Sequence, residues 1–464
     1  MSSISEPIAL APGPGTLHRF RPGGVELRQL LRLALPIVGV QLGIMVMGVV
    51  DTIMVGRLSA EALAATAIGH VYFFIAAIFA MGSLMALDPL VSQAVGANDN
   101  PAIRRAVQRG LVLAFALSIF GSVFLLFAEP VLRAARQPAE IVPLAALYDR
   151  ILIPGLLPLL LFTVLRQTLQ SMTRMRAILI TIVVANIANV LLNWVLIFGK
   201  LGMPQMGVAG AAWATTVSRW VMLAGLFVLA WRDLRPLLTP FDRTAIAFAP
   251  LKRMLSLGAP IGMHSLLEYS AFGVVSLLMG LLGTIEIASH QIAINLASLT
   301  FMVPMGVAQA GSVLIGQAVG RADDDAARRA AGASLLSGAG FMMLTACLFL
   351  SAPHLLAGVY TTDIEVLALA TVLIQIAGVF QIFDGLQVVG TGVLRGIGDT
   401  RVPMLAGLVG FWLIGMPISA LLGFRTGLGA RGLWWGFVAG LAAVAAFLVL
   451  RILYRFVRPL SRWE

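Results

Sequence analysis

Gln93-Ala94-Val95-Gly96-Ala97-Asn98-Asp99-Asn100-Pro101-Ala102-Ile103-Arg104-Arg105 returns later in the chain as Gln317-Ala318-Val319-Gly320-Arg321-Ala322-Asp323-Asp324-Asp325-Ala326-Ala327-Arg328-Arg329. The two stretches agree at eight of thirteen positions without a gap. The same 224-residue shift pairs Pro36 with Pro260, Gly56 with Gly280 and Gly82 with Gly306. Apolar segments resemble one another through composition alone, but glycines and charges that fall in register do not. The chain therefore carries an internal duplication.

Around these motifs the sequence is apolar almost throughout. Of 464 residues, 59% are hydrophobic and 11% charged, with a mean hydropathy of +0.95; a soluble chain carries about 25% charged residues. That balance excludes an ordinary cytosolic enzyme, a disordered protein and a secreted disulfide scaffold. A single cysteine, Cys347, excludes a disulfide framework and a multi-cysteine metal site. A bilayer core about 30 Å thick needs roughly 20 apolar residues per helix. Runs of that kind fall near 30–55, 64–92, 105–127, 140–165, 177–198, 208–231, 254–281, 287–317, 329–350, 365–393, 402–423 and 432–457. Strand-like alternation is missing, so a barrel is excluded. Pro36, Pro154, Pro158, Pro260, Pro304 and Pro417 lie inside the runs, where membrane helices tolerate proline.

Six spans per half is an even number, so both halves enter from the same side. The expectation is an all-α polytopic membrane protein, twelve helices in two six-helix lobes related by a parallel repeat about the membrane normal. Domains follow: a flexible tail over 1–28 rich in Pro and Gly, a first lobe over 29–231, a linker over 232–252, a second lobe over 253–457 and a tail over 458–464. Residues before the first span lack an apolar signal core, which predicts no cleavable signal peptide. The net charge of +11 does not form a nucleic-acid patch. Twenty-four Lys and Arg fall on the side of the termini, against six on the other (Arg57, Arg133, Arg136, Lys200, Arg425, Arg431). This asymmetry predicts cytoplasmic termini.

An ionisable side chain inside a bilayer costs at least about 2.5–3.5 kcal/mol on insertion scales, so the acids within spans select themselves: Asp51, Asp88, Asp149, Glu268 and Asp384. Asp149 adjoins Arg150, which suggests self-neutralisation. Asp88 lies eight residues before the repeated turn, close enough to the surface to be hydrated. Through the repeat, Asp51 maps onto Val275 and Glu268 onto Ile44, positions seven apart and therefore on one helix face. Counting about 1.5 Å per residue, Glu268 lies ~22 Å along its helix from Arg253 and Asp384 ~16 Å from Arg395. The two carboxylates thus meet at mid-membrane, where a pair either shares a proton or holds a cation. Asn189 and Asn193 share a face of the fifth span and, with Asp51, suit a cation site or helix-to-helix bonding. His264, one turn from Glu268, relays a proton or simply bonds that acid. His290, Gln291 and Asn295 form a polar stripe at the start of the eighth span.

Val50-Asp51-Thr52, Val91-Ser92-Gln93-Ala94-Val95-Gly96, Gly210-Ala211-Ala212-Trp213-Ala214-Thr215, Ser289-His290-Gln291-Ile292-Ala293 and Leu394-Arg395-Gly396-Ile397-Gly398-Asp399-Thr400 resemble the multidrug and toxin extrusion (MATE) family, most closely its NorM-like bacterial branch. The likeness covers residues 28–457. It implies a bacterial inner-membrane antiporter, monomeric, that expels cationic amphipathic molecules in exchange for H⁺ or Na⁺ by alternating access and needs no cofactor beyond the coupling ion. By resemblance, Asp51, Asn189, Asn193 and Thr215 form the first-lobe ion and substrate cluster. Glu268 and Asp384, with His264, Gln291 and Asn295 nearby, form the second. A Na⁺ ion would sit at Glu268 and Asp384 or at Asp51, Asn189 and Asn193. Two departures weaken sodium and favour protons: Asn193 stands where some relatives place an acid, and Phe380 where some place a tyrosine. The rivals are a lipid-linked oligosaccharide flippase of the same superfamily, a major-facilitator transporter and an intramembrane enzyme. The Gly96-Ala97-Asn98-Asp99-Asn100-Pro101 loop lacks the Gly-x-x-x-Asp-Arg pattern of the major facilitators. No His-Glu-x-x-His, Gly-x-Ser-x-Gly or P-loop occurs.

Overall fold

The computed structural model describes residues 20–463. Residues 1–19 of the expected N-terminal tail lie outside the described residues, and the first helix already begins at Gly24. The first half contains α1 (Gly24–Gly56), α2 (Ala60–Leu84), α3 (Leu87–Gly96), α4 (Asn100–Leu126), α5 (Ala128–Ala134), α6 (Val142–Ser171), α7 (Met175–Phe198) and α8 (Gly207–Leu238). The second contains α9 (Phe248–Leu282), α10 (Thr284–Gly320), α11 (Asp324–Ser351), α12 (Pro353–Gly358), α13 (Ile364–Gly396), α14 (Arg401–Gly407), α15 (Met416–Arg425) and α16 (Gly429–Val457). Among the described residues, twelve spans are long and apolar enough to cross a membrane, with α2 and α3 forming one of them and α14 and α15 framing another. No strand occurs among the described residues.

The repeated motif is a helix-stop and helix-start device. Asn98 and Ala322 both take left-handed backbone, φ 56° and 54°, which ends the preceding helix. The next residue caps the following one: Asp99 Oδ1 accepts from the Ala102 N–H and Asp323 Oδ1 from the Ala326 N–H, each at 2.9 Å. An aspartate N-cap stabilises a helix by roughly 0.5–2 kcal/mol. In both halves the device therefore sends the chain back across the membrane at the same register.

Between Arg401 and Arg425 the backbone is not uniformly α-helical. Leu408–Gly415 forms a π turn between α14 and α15. Pro417 just beyond it has no N–H to donate, and Gly410 and Gly415 bring the wide turn against Gly440 of α16. The first-half counterpart, α7, is an unbroken helix.

Helix was expected to give way to linker over 232–252. The structure keeps α8 helical to Leu238 and starts α9 at Phe248, so the irregular connection is 239–247 with a 3₁₀ turn at Arg243–Ile246. Gln108 of α4 fixes it, donating to the carbonyls of Leu237 (3.1 Å) and Pro240 (3.0 Å) and accepting from the Asp242 N–H (2.8 Å). A single amide thus satisfies backbone groups that the end of α8 leaves open.

The lobes meet toward the end that carries the termini. α1 packs on α10 and α2 on α9. Small residues permit this closeness: a Cβ added to Gly82 would lie 2.6 Å from Gly262 Cα, and one on Gly96 or Gly320 would strike the carbonyl of Gln317 or Gln93. The two repeated Gln-Ala-Val-Gly turns therefore cross each other at the lobe interface, backbone to backbone, as close helix packing in membranes requires. Gln93 Nε2 reaches the Gly396 carbonyl (3.0 Å) and Gln317 Nε2 the Ser171 carbonyl (2.9 Å). Farther from the termini the lobes touch at Gln41 to Met305 Sδ (2.9 Å) and at the Phe74 ring against Tyr269 (5.1 Å). Beyond these contacts α1, α2 and α9 run on for roughly 20 Å and α10 for roughly 30 Å, at ~1.5 Å per residue. Gly48 and Gly273, in that region, face nothing within 4 Å.

Candidate functional site

In the first lobe the structure brings all four expected residues together. Asp51, near the far end of α1, is buried. Its Oδ1 accepts from Asn189 Nδ2 (3.1 Å) and from Asn193 Nδ2, and its Oδ2 accepts from Thr215 Oγ1 (2.8 Å). Asn193 also donates to Asn189 Oδ1 (3.1 Å). Spacing explains the convergence, because Asn189 and Asn193 are one turn apart on α7 and α8 delivers Thr215 from the other side. Both amides offer N–H groups to the carboxylate, so the cluster surrounds an anion with donors. Arg219, unassigned from sequence, contributes its positive charge to Asp51 and lies over the Phe73 ring at 4.3 Å.

The second-lobe acids are assembled differently. α9 and α13 run antiparallel, and two contacts bracket the acids. On the terminal side His264 Nε2 meets Gln387 Nε2 at 3.1 Å; on the far side Phe272 packs edge-on against Phe380 with ring centroids 6.0 Å apart. Glu268 is one turn from both His264 and Phe272, and Asp384 one turn from both Gln387 and Phe380, so the brackets set Glu268 and Asp384 opposite each other. The charge of Glu268 is felt at Asp384. Each acid keeps a buried oxygen without a hydrogen-bond partner, Glu268 Oε1 and Asp384 Oδ1. Among the described residues no group of three or more His, Cys, Asp or Glu gathers as a metal site.

Several sequence expectations change. His264 does not bond Glu268: its ring turns to Gln387 and closes over Gly407, which lacks a side chain to keep it out. Asp88 is not hydrated but fully buried, paired with Arg395 of the other lobe at 3.2 Å, because the crossing of the repeated turns covers it. Asp149 does not neutralise Arg150. Adjacent helical residues point about 100° apart, so Arg150 reaches outward to Glu129 (3.2 Å) while Asp149 stays buried with both oxygens unpartnered. Asp51 and Glu268 do not occupy equivalent surroundings either: Asp51 turns to α7 and α8, Glu268 to α13.

Gln291 and Asn295 are exposed. They share the face of α10 that, farther along, presents Met305 to Gln41 of the first lobe. His290 turns the other way, to Ser276 Oγ (2.9 Å) and the Trp434 ring. Sequence reading missed Gln381 and Gln387. Gln381 Oε1 accepts from Thr300 (2.9 Å) and Thr345 (2.8 Å), and its Nε2 is buried without a partner. The signal was present, since Gln381, Asp384 and Gln387 recur every three residues on one side of an apolar helix.

Comparison with known proteins gives the same picture. The MatE family model matches residues 36–195 and again 260–421, two segments that begin 224 residues apart. The chain is 39% identical over 445 residues to the "Probable multidrug resistance protein NorM" of Rhizobium meliloti (strain 1021), covering 94% of this chain and 95% of that protein. It is 36% identical over 428 residues to the "Multidrug resistance protein NorM" of Burkholderia vietnamiensis, covering 90% and 92%. Among solved structures, the "eukaryotic MATE transporter AtDTX14" superposes with a TM-score of 0.85 at 22% identity, covering 94% of this chain and 96% of that one. An "outward-facing conformation of a multidrug resistance MATE family transporter of the MOP superfamily" superposes with a TM-score of 0.83 at 19% identity, covering 97% and 99%. A duplicated twelve-span fold, matched by the family model in both halves, makes this chain a membrane transporter of the MATE family and not an enzyme.

Proposed function

We propose that this protein is a secondary active multidrug exporter that exchanges cationic amphipathic molecules for protons, working as a monomer in the bacterial inner membrane with both termini cytoplasmic. The observation that carries the proposal is the pair Glu268 and Asp384, bracketed in the lobe interior with an unpartnered buried oxygen on each. Two carboxylates facing one another across a poorly solvated site repel unless a positive charge joins them. A proton serves with no further ligands. Sodium asks for several oxygens, and here Phe380 lines one flank of the pair while the amides around Asp51 offer N–H groups.

On this reading, protons entering from outside neutralise the acid pair and remove the negative charge that held a cationic drug. Antiport follows because drug and proton disfavour each other's bound state, and that coupling is reciprocal. Asp51 is a second, subordinate coupling position, already saturated with donors. The facing surfaces of the two lobes supply the rest. His70 stacks on Phe74, which meets Tyr269 beside Glu268, and Met305, Gln291 and Asn295 lie on the facing surface of α10. Aromatic faces attract a cation by about 0.5–2 kcal/mol, and methionine adapts to varied apolar shapes. The names of the matched relatives support the multidrug reading. The unpartnered acid oxygens of Glu268 and Asp384 in the second lobe favour cationic cargo over the lipid-linked sugar phosphates of a flippase.

The test is purified protein in proteoliposomes, with ethidium flux followed under a pH gradient or a Na⁺ gradient imposed separately. Flux driven by the pH gradient alone, and lost in Glu268→Gln and Asp384→Asn, is the expected result. Flux that requires Na⁺ at fixed pH overturns the proton assignment, and absence of flux under both gradients overturns the exporter reading.

A further inference from the structure

At the end that carries the termini, a cavity of about 510 Å³ opens between the two halves of the chain. Its walls come from α3 and α4 of the first half, from the start of α9 in the second, and from the C-terminal residues Arg462 and Trp463. Four arginines line it, Arg105, Arg109, Arg253 and Arg462, with one acid, Asp99. Asp99 is already engaged: its Oδ1 caps α4 and its Oδ2 accepts from Arg462 at 3.0 Å. Arg105, Arg109 and Arg253 are left facing one cavity, and the charges of Arg105 and Arg253 bear on Arg109. A further acid, Asp242, lies outside the lining and accepts at its Oδ1 from the N–H and hydroxyl of Thr244, while its charge partly offsets those of Arg105 and Arg109. Arg109 Nε is buried without a hydrogen-bond partner.

Three guanidinium groups around one partly open cavity, with the Arg109 Nε buried and unpartnered, suit an anion. We propose that this cavity binds a phosphate-bearing group through Arg105, Arg109 and Arg253. Two sources offer that chemistry at a membrane surface: the headgroup of an anionic phospholipid and free phosphate. Guanidinium forks match phosphate oxygens in pairs, and basic recesses between helices beside the headgroup layer suit anionic lipids. Leu90, Ala106 and Met254 give the cavity an apolar side for the glycerol and first methylenes of a lipid. Because α4 and α9 belong to opposite halves, a bound phosphate bridges the lobes where they are closed. It therefore stabilises this arrangement over one in which that end opens.

The experiment compares full-length wild type with Arg105→Gln/Arg109→Gln/Arg253→Gln in neutral detergent. Thermal unfolding and native mass spectrometry are recorded with added phosphatidylglycerol, phosphatidylcholine or inorganic phosphate. The expected result is a rise in the wild-type unfolding midpoint with retained phosphatidylglycerol but not phosphatidylcholine, and affinity weakened on the order of a hundredfold in the variant, about fivefold per charge. Equal stabilisation by inorganic phosphate, also lost in the variant, assigns the site to free phosphate. A wild type and variant that respond alike to every addition overturn the proposal. Since Arg253→Gln could disturb α9 by itself, Arg253→Lys is included and should retain most of the binding.

Discussion

The two lobes descend from one repeat yet treat their acids in opposite ways. In the first lobe Asp51 is enclosed by three donors from α7 and α8. In the second, Glu268 and Asp384 each keep a buried oxygen without a partner. α6 ends at Ser171 and α13 at Gly396, an offset of 225 residues (396 minus 171) in this span, so Asp384 and Gln381 correspond to Leu159 and Leu156 in the first lobe. Polar partners have moved from spans five and six in one half to span ten in the other. α7 is an unbroken helix, whereas the equivalent span of the second lobe carries a π turn at Leu408–Gly415. The Asp51 carboxylate has both oxygens engaged, whereas each acid of the second-lobe pair keeps one oxygen unpartnered. The contrast teaches that one scaffold, duplicated, yields one lobe with a fixed polar core and one with an open valence.

The contrast is broken or sharpened most directly at the second-lobe acids. Glu268→Gln and Asp384→Asn should each reduce pH-driven flux at least roughly tenfold, the effect of losing about 1.4 kcal/mol of coupling, while protein folds and inserts normally. If Asp51→Asn proves equally damaging, the division of labour between the lobes fails.

Next comes the link between the lobes. Asp88 and Arg395 are both buried, and removing only one partner leaves a stranded charge. Asp88→Asn should cost about 3–5 kcal/mol, whereas Asp88→Leu with Arg395→Met should recover most of it. Thermal unfolding reads the stability, and the distance between spin labels at the exposed Asn100 and Arg321 reads whether the lobes still close. Recovery of stability without recovery of closure would identify the pair as a gate rather than a brace.

Asp51→Asn comes third. One oxygen acceptor becomes a donor facing the amides of Asn189 and Asn193 or the hydroxyl of Thr215, at a local cost of about 1–3 kcal/mol. Flux should fall less than with the second-lobe acids, measured in the same vesicles.

The smallest effect is at the repeated cap. Asp99→Ala should cost about 1 kcal/mol in thermal unfolding. The Ala102 N–H first, and Arg462 second, hold the Asp99 carboxyl below the usual carboxylate range. Its contribution is therefore complete above about pH 4 and is lost as pH falls through the lowered folded value. Asp323→Ala, at the equivalent position in the other half, should lose a similar cap but not the Arg462 tether.

Composition and repetition alone determined the broad architecture, because a bilayer admits few solutions: each span must satisfy its own backbone hydrogen bonds. An apolar run of sufficient length is then a helix, and two in-register sets of six are two parallel lobes. The acids Asp51, Glu268 and Asp384 and the amides Asn189 and Asn193 were legible for the same reason, since polar groups stand out against a lipid-soluble background. Only the tertiary structure decided their partners. His264 turned to Gln387 and not to Glu268, Asp88 found Arg395 some three hundred residues away, and Asp149 ignored its neighbour Arg150. Sequence spacing fixes which side of a helix a residue occupies. It does not fix what the other lobe places against that side, because that depends on how small residues such as Gly82, Gly96, Gly262 and Gly320 let two helices cross.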